Sequence, residues 1–132
     1  MDAALAQLVR QRAGDRCEYC RLPQSRSSLR FHIEHIVARQ HGGADVAENL
    51  ALACPECNRR KGTNLTGVDP DTGQVVRLFH PRRDRWEEHF RVDGSRLLAR
   101  TDAGRTTIWL LAMNSGPRLR WRDMLVRLGE WP

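Results

Sequence analysis

Two Cys-x-x-Cys pairs, Cys17-Glu18-Tyr19-Cys20 and Cys54-Pro55-Glu56-Cys57, hold every cysteine of this 132-residue chain. Four thiolates arranged in two such pairs complete a tetrahedral shell around zinc and leave no open position. A shared ion would therefore be structural and would tie two distant points of the chain together. Two disulfides, a redox pair or an iron–sulfur centre are the other chemistries open to four cysteines. Disulfides belong to secreted chains, and neither pair sits at a recognisable strand-to-helix redox position. The expectation is a closed four-cysteine zinc site (Cys17, Cys20, Cys54, Cys57) on which folding depends.

The segments around the pairs read as short elements. Ala3, Ala4, Leu5, Leu8 and Val9 recur at helical spacing among good helix formers, and Gly14 stops that helix before the first pair. Phe31 to Ile36 alternates as a strand, His41-Gly42-Gly43-Ala44-Asp45 is a loop, and Glu48 to Ala53 is the return strand. Pro55 suits a first helical turn, so a helix runs from there to about Lys61, before Gly62.

Beyond Gly62 the spacing predicts a turn-rich connector over 66–73, a strand over 74–79 and a turn at His80 to Asp84. Next come a hairpin of Trp86–Val92 and Arg96–Arg100 about Asp93-Gly94, a helix from about 103 to Asn114 capped by Asp102, and a last helix from Pro117 to Leu128. Ile108, Leu111 and Ala112 are the expected inner face of the first of these helices. Leu119, Met124, Leu125 and Leu128 form the apolar stripe of the second, with Trp109, Trp121 and Trp131 as core or edge packing.

Charge narrows the partner. A formal net charge of +6 and a pI near 10.1 suit a polyanion, because clustered cationic side chains displace counterions from phosphates. No apolar run of about 18 residues exists to span a bilayer. The acidic, amphipathic N-terminus lacks the pattern of a secretory leader, so the cytoplasm is the expected location.

The chemistry concentrates between the cysteine pairs. Clamping the strand–loop–strand to the helix would bring Glu34 and His35 beside Asn58. A carboxylate and an amide oxygen are hard donors suited to Mg2+ or Mn2+. A neighbouring histidine that is not a ligand can deprotonate water near neutral pH. Together they offer phosphodiester hydrolysis.

This constellation resembles the HNH endonuclease family, whose core is the ββα-metal fold. The resemblance rests on Glu34-His35-Ile36, Gly42-Gly43, Asn49-Leu50, Cys54-x-x-Cys57-Asn58 and Lys61, in the family's order and spacing. It implies Glu34 and Asn58 as ligands of one catalytic cation, His35 as general base, and Asn49 as the residue that holds the base-bearing loop. Many members carry aspartate where this chain has Glu34. Leu78-Phe79-His80-Pro81-Arg82 and Asp84-x-Trp86-x-x-His89-Phe90 are similar to the segment C-terminal to the core in a bacterial subgroup.

The expected architecture is a single α+β domain over 1–132. A treble-clef-like ββα-metal core with its zinc clamp occupies 17–64, an N-terminal helix precedes it, and a strand-and-helix packing extension occupies 74–132. In that extension Phe79, Trp86 and Phe90 pack, and His89 is a buried hydrogen-bonding group. DNA is the expected partner, contacted by Arg39, Arg59, Lys61, Arg82 and Arg83, with Arg118, Arg120, Arg122 and Arg127 widening the basic surface. His32 and His41 stand as further candidate ligands. The alternative is a nucleic-acid-binding zinc module without catalysis. Sequence specificity, and action as a monomer, a homodimer or part of a larger DNA-processing complex, are left open.

Overall fold

The computed structural model describes residues 1–132 as two compact units, Met1–Thr63 and Asn64–Pro132. Both mix helices with small antiparallel sheets. No helix is long and apolar enough to cross a membrane.

In the first unit, α1 spans Ala3–Arg12, with the Asp2 carboxylate accepting from Leu5 N at 2.9 Å as its cap. Its last turn carries the residues that dock it. Arg10 donates to Phe31 O at 2.9 Å, and Arg12 donates to Ala47 O and Leu50 O at 3.1 and 2.8 Å. Strand β1 (His32–His35) pairs antiparallel with β2 (Leu50–Ala53), setting Glu34 opposite Ala51 and His35 opposite Leu50. All four residues of β2 are buried, since both α1 and the following helix pack on it.

The connecting loop is built around a close approach. A Cβ at Gly43 would lie 1.7 Å from the Val37 carbonyl oxygen, so only glycine fits there. Helix α2 (Pro55–Lys61) starts with proline in its first turn, is capped by the Cys54 thiol, and stops at Gly62, whose φ is 53°. The predicted helix–strand–strand–helix order is therefore present with nearly the expected boundaries.

The second unit departs more from expectation. Hairpin β3 (Thr66–Val68)/β4 (Val75–Arg77) places a strand where 66–73 was expected to be connector only. Trp86–His89 is a short helix, α3, so the next hairpin begins only at Phe90, as β5 (Phe90–Asp93) and β6 (Arg96–Ala99). Phe79, His89, Phe90 and Trp86 form a continuous aromatic cluster with centroid spacings of 5.0–5.7 Å. His89 is buried as expected, its Nδ1 2.6 Å from Thr101 Oγ1.

Helix α4 runs Asp102–Leu110, shorter than expected, and its cap is Thr101 rather than Asp102. The Thr101 hydroxyl accepts from Gly104 N at 3.0 Å. Its inner face is Ala103, Gly104, Thr106 and Thr107, not Ile108 and Ala112, because Gly104 abuts the chain: a Cβ there would lie 2.1 Å from His89 O. In α5 (Gly116–Arg127) Leu125 is buried, but Met124 and Leu128 are exposed. Trp109, expected to pack, is 66% exposed, and Trp121 is exposed as well; only Trp131 of the three is buried. Arg122, expected on the surface, is 3% exposed: it donates to Ser95 O and Asn114 Oδ1 and lies over the Trp131 ring.

Candidate metal centre and catalytic cleft

The four cysteines converge as the spacing implies. Their Sγ atoms all lie within 4.8 Å of one another, and every one of the four residues is buried. Backbone N–H groups of Cys20 and Cys57 point at Cys17 Sγ and Cys54 Sγ at 3.5 and 3.4 Å, which favours negative charge on sulfur. Burial acts the other way and pushes the Cys17 and Cys57 thiols well above their ordinary range. Without a cation four thiolates could not coexist there; with one they complete a shell, so the donor set fits zinc.

The first knuckle reaches directly into the hairpin. Glu18 N donates to Leu52 O at 2.8 Å, and Leu52 N donates to the Glu18 carboxylate at 2.9 Å. Tyr19 donates its hydroxyl to Glu34 Oε1 at 2.9 Å. Burial and the Glu34 charge hold that phenol well above its usual range, so it remains a donor.

Glu34 is buried on β1. Its Oε1 also lies 2.9 Å from the Lys61 ammonium, which donates as well to Ile36 O at 2.9 Å. Burial pushes the Glu34 carboxyl above its ordinary value, while Lys61 and Tyr19 favour the charged form. The other oxygen, Oε2, is buried and has no hydrogen-bond partner in the protein. This arrangement corrects the expectation for Lys61. At 2% exposure it cannot contact nucleic acid, and its charge is committed inside the unit.

Glu34, His35 and Asn58 line one cleft of about 430 Å³, together with His32, Arg39 and the Gly62-Thr63 end of α2. The sequence-predicted trio is thus brought together. His32 is exposed on the cleft wall; His41, exposed at the end of a short 3₁₀ turn, is not among the lining residues. Arg59 and Arg60 are exposed on α2 and share the Glu56 carboxylate at 2.7–2.9 Å. Arg82 and Arg83 belong to the second unit, where their backbone N–H groups donate to His80 Nδ1 at 3.2 Å.

Asn49 closes the loop after His35. Its Oδ1 accepts from Val37 N at 2.9 Å, and its Nδ2 donates to Val37 O and Ala44 O, both at 3.0 Å. One residue of this loop escaped the sequence reading. Asp45 Oδ1 lies 2.6 Å from His35 Nε2, and the same carboxylate takes Arg39 at 3.0–3.3 Å. The His35 and Arg39 contacts hold the Asp45 carboxyl below its usual range. Nothing in the local pattern singles out this aspartate, since one after a double glycine reads first as a turn residue.

Residues 17–64 match the HNH endonuclease family. They form an HNH endonuclease domain. The matched segment opens on the first zinc-type cysteine and closes just past α2, so it takes in both the four-cysteine cluster and the cleft. The chain is also 25% identical over 116 residues to the Septu protein PtuB of Bacillus thuringiensis, a match covering 86% of this chain and 42% of that protein. It therefore spans less than half the length of that curated relative, and most of the second unit lies outside the HNH match. No solved structure matches the chain.

Proposed function

We propose that the protein is a metal-dependent DNA endonuclease with a ββα-metal core, hydrolysing phosphodiester bonds with His35 as general base and Glu34 and Asn58 holding one Mg2+ or Mn2+ ion. The observation that carries the reading is Glu34 Oε2: a buried carboxylate oxygen without a partner, on a residue that lines one cleft with Asn58 and His35. Buried polar atoms are rarely left unsatisfied, and a hard cation is the partner that a carboxylate and an amide oxygen suit. A bound divalent ion would supply Lewis-acid polarisation of the phosphate and stabilise the leaving oxygen.

The remaining work falls to the chain's own groups. Tyr19 and Lys61 grip Oε1 and so hold the Glu34 side chain in one orientation. His35, outside the ligand pair, accepts the proton of the attacking water. Asn49 pins the loop that begins one residue after the base. In this reading Arg39, which lines the cleft, and Arg59, exposed on α2, contact the DNA backbone.

The test is nicking of supercoiled plasmid with Mg2+ or Mn2+ by the intact protein and by His35→Ala. A general base contributes roughly 10²–10⁴-fold, so the variant should lose at least about a hundredfold in rate while keeping its metal and fold. Equal rates for the two proteins would show that His35 is not the base.

A further inference from the structure

We propose that Asp45 is a positioning residue for His35, holding the ring in the orientation and tautomer that leave Nδ1 as its basic atom. The proposal deepens the endonuclease reading and rests on it. A carboxylate only accepts hydrogen bonds, so a 2.6 Å contact to Nε2 requires the proton on Nε2 and puts the lone pair of a neutral ring on Nδ1. No hydrogen bond to Nδ1 accompanies it, so that lone pair is unclaimed by the protein. A base whose second nitrogen is held by a third group has its direction of attack defined in advance.

Asp45 is itself held in place. Arg39 donates Nε to Oδ1 at 3.3 Å and Nη2 to Oδ1 and Oδ2 at 3.1 and 3.0 Å, so the carboxylate cannot swing freely. The backbone just before it is pinned by Asn49 Nδ2 on Ala44 O at 3.0 Å, by Gly43 N on Ala38 O at 3.0 Å, and by the Gly43–Val37 approach that excludes any side chain. Asn49 therefore fixes the loop at both ends, next to Val37 on one side and next to Asp45 on the other. The double-glycine loop acts as the arm that returns a carboxylate to the ring it left ten residues earlier.

The experiment compares the full chain with Asp45→Ala in two readouts. Plasmid nicking should show kcat lowered about tenfold or more, up to the roughly 10²–10⁴-fold that a general base contributes, while any change in KM reports only the release of Arg39 that Asp45 also holds. Nitrogen-15 NMR of the neutral His35 ring should show the Nε2–H tautomer in the natural protein and a mixture in the variant. An unchanged kcat alongside active natural protein would overturn the proposal, as would an Nδ1–H tautomer. A raised kcat would also overturn it, and would make the contact a latch that holds the base back. A protein that nicks nothing, yet keeps an Asp45-dependent Nε2–H tautomer, would remove the endonuclease reading and leave the ring-holding contact supported.

Discussion

Replacing Lys61 with methionine keeps an unbranched apolar stem and deletes an ammonium that is 2% exposed. Two groups lose a partner at once. Glu34 Oε1 keeps only the Tyr19 hydroxyl, with Oε2 already unpartnered, and the Ile36 carbonyl loses its donor at 2.9 Å. Removing one member of a buried charge pair costs about 3–5 kcal/mol, because the remaining charge is stranded in a medium that solvates it poorly. In a unit the size of Met1–Thr63, each kcal/mol moves the melting midpoint by about 4–8 °C, so a fall of at least about 12 °C should result. Adding Glu34→Gln should restore most of it, since the stranded charge and not the missing lysine is the penalty.

The assay is thermal unfolding monitored by circular dichroism at a fixed free zinc concentration, because ligand occupancy shifts the midpoint by mass action. The same variant distinguishes the two places a basic residue can occupy in this sequence. A phosphate-contacting lysine would leave melting alone, weaken DNA binding uniformly and reduce the salt slope by about 1. A midpoint within about 2 °C of the natural protein, which is under about 0.5 kcal/mol, together with a reduced salt slope would refute the buried-pair argument.

The geometry gives two further outcomes. Cys54→Ser removes one of four converging thiols while leaving a hydroxyl able to cap α2, so the purified variant should hold no zinc and lose the folded state of the first unit for want of the fourth ligand; a zinc-free protein with native chemical-shift dispersion would contradict that. In the second unit, Arg105 donates to both oxygens of buried Asp69 at 2.7 and 2.8 Å and holds its carboxyl well below the usual range. A carboxyl whose folded value is depressed contributes stability above its unfolded value of about 3.9 and loses it as pH falls further. Asp69→Asn should therefore flatten the melting-versus-pH curve below about pH 4, and parallel curves for the two proteins would exclude the pair as the cause.

The HNH unit was legible because its signals are local. Gly14, Pro55 and Gly62 mark helix ends by their own chemistry, and the trio Glu34, His35 and Asn58 is bracketed by cysteines whose spacing implies a shared ion. The features that escaped depend on partners far away in sequence. Lys61 and Arg122 read as surface cations until Glu34 and the Asn114–Trp131 environment are known, for a charged side chain is buried only when paired. Thr101 and Asp102 are both good caps, and only the closed geometry selects the threonine. Strand β3 is three residues with a glycine at its centre, too short for alternation to show, and that glycine is required by Thr106, whose Cγ2 would lie 2.8 Å from an added Cβ.

The placement of Asn58 derives from the two ends of its helix. At seven residues α2 is too short to be stable alone, so its position must be imposed from outside. Its start is set by Cys54 and Cys57 within the thiol cluster, and its end by Lys61 on Glu34. Tyr19, inside the first cysteine pair, holds the same Glu34 oxygen from the other side. Cluster, carboxylate and helix thus form a closed circuit in which Asn58 directly follows the anchoring Cys57 and lies about one turn before Lys61 of the ion pair. Loss of either anchor should displace Asn58 relative to Glu34 without touching it. The four-cysteine cluster and the cleft are accordingly parts of one structure, and Tyr19→Phe or Lys61→Met should alter affinity for the cation proposed at Glu34 and Asn58, read by calorimetric titration with Mn2+, even with the four cysteines intact.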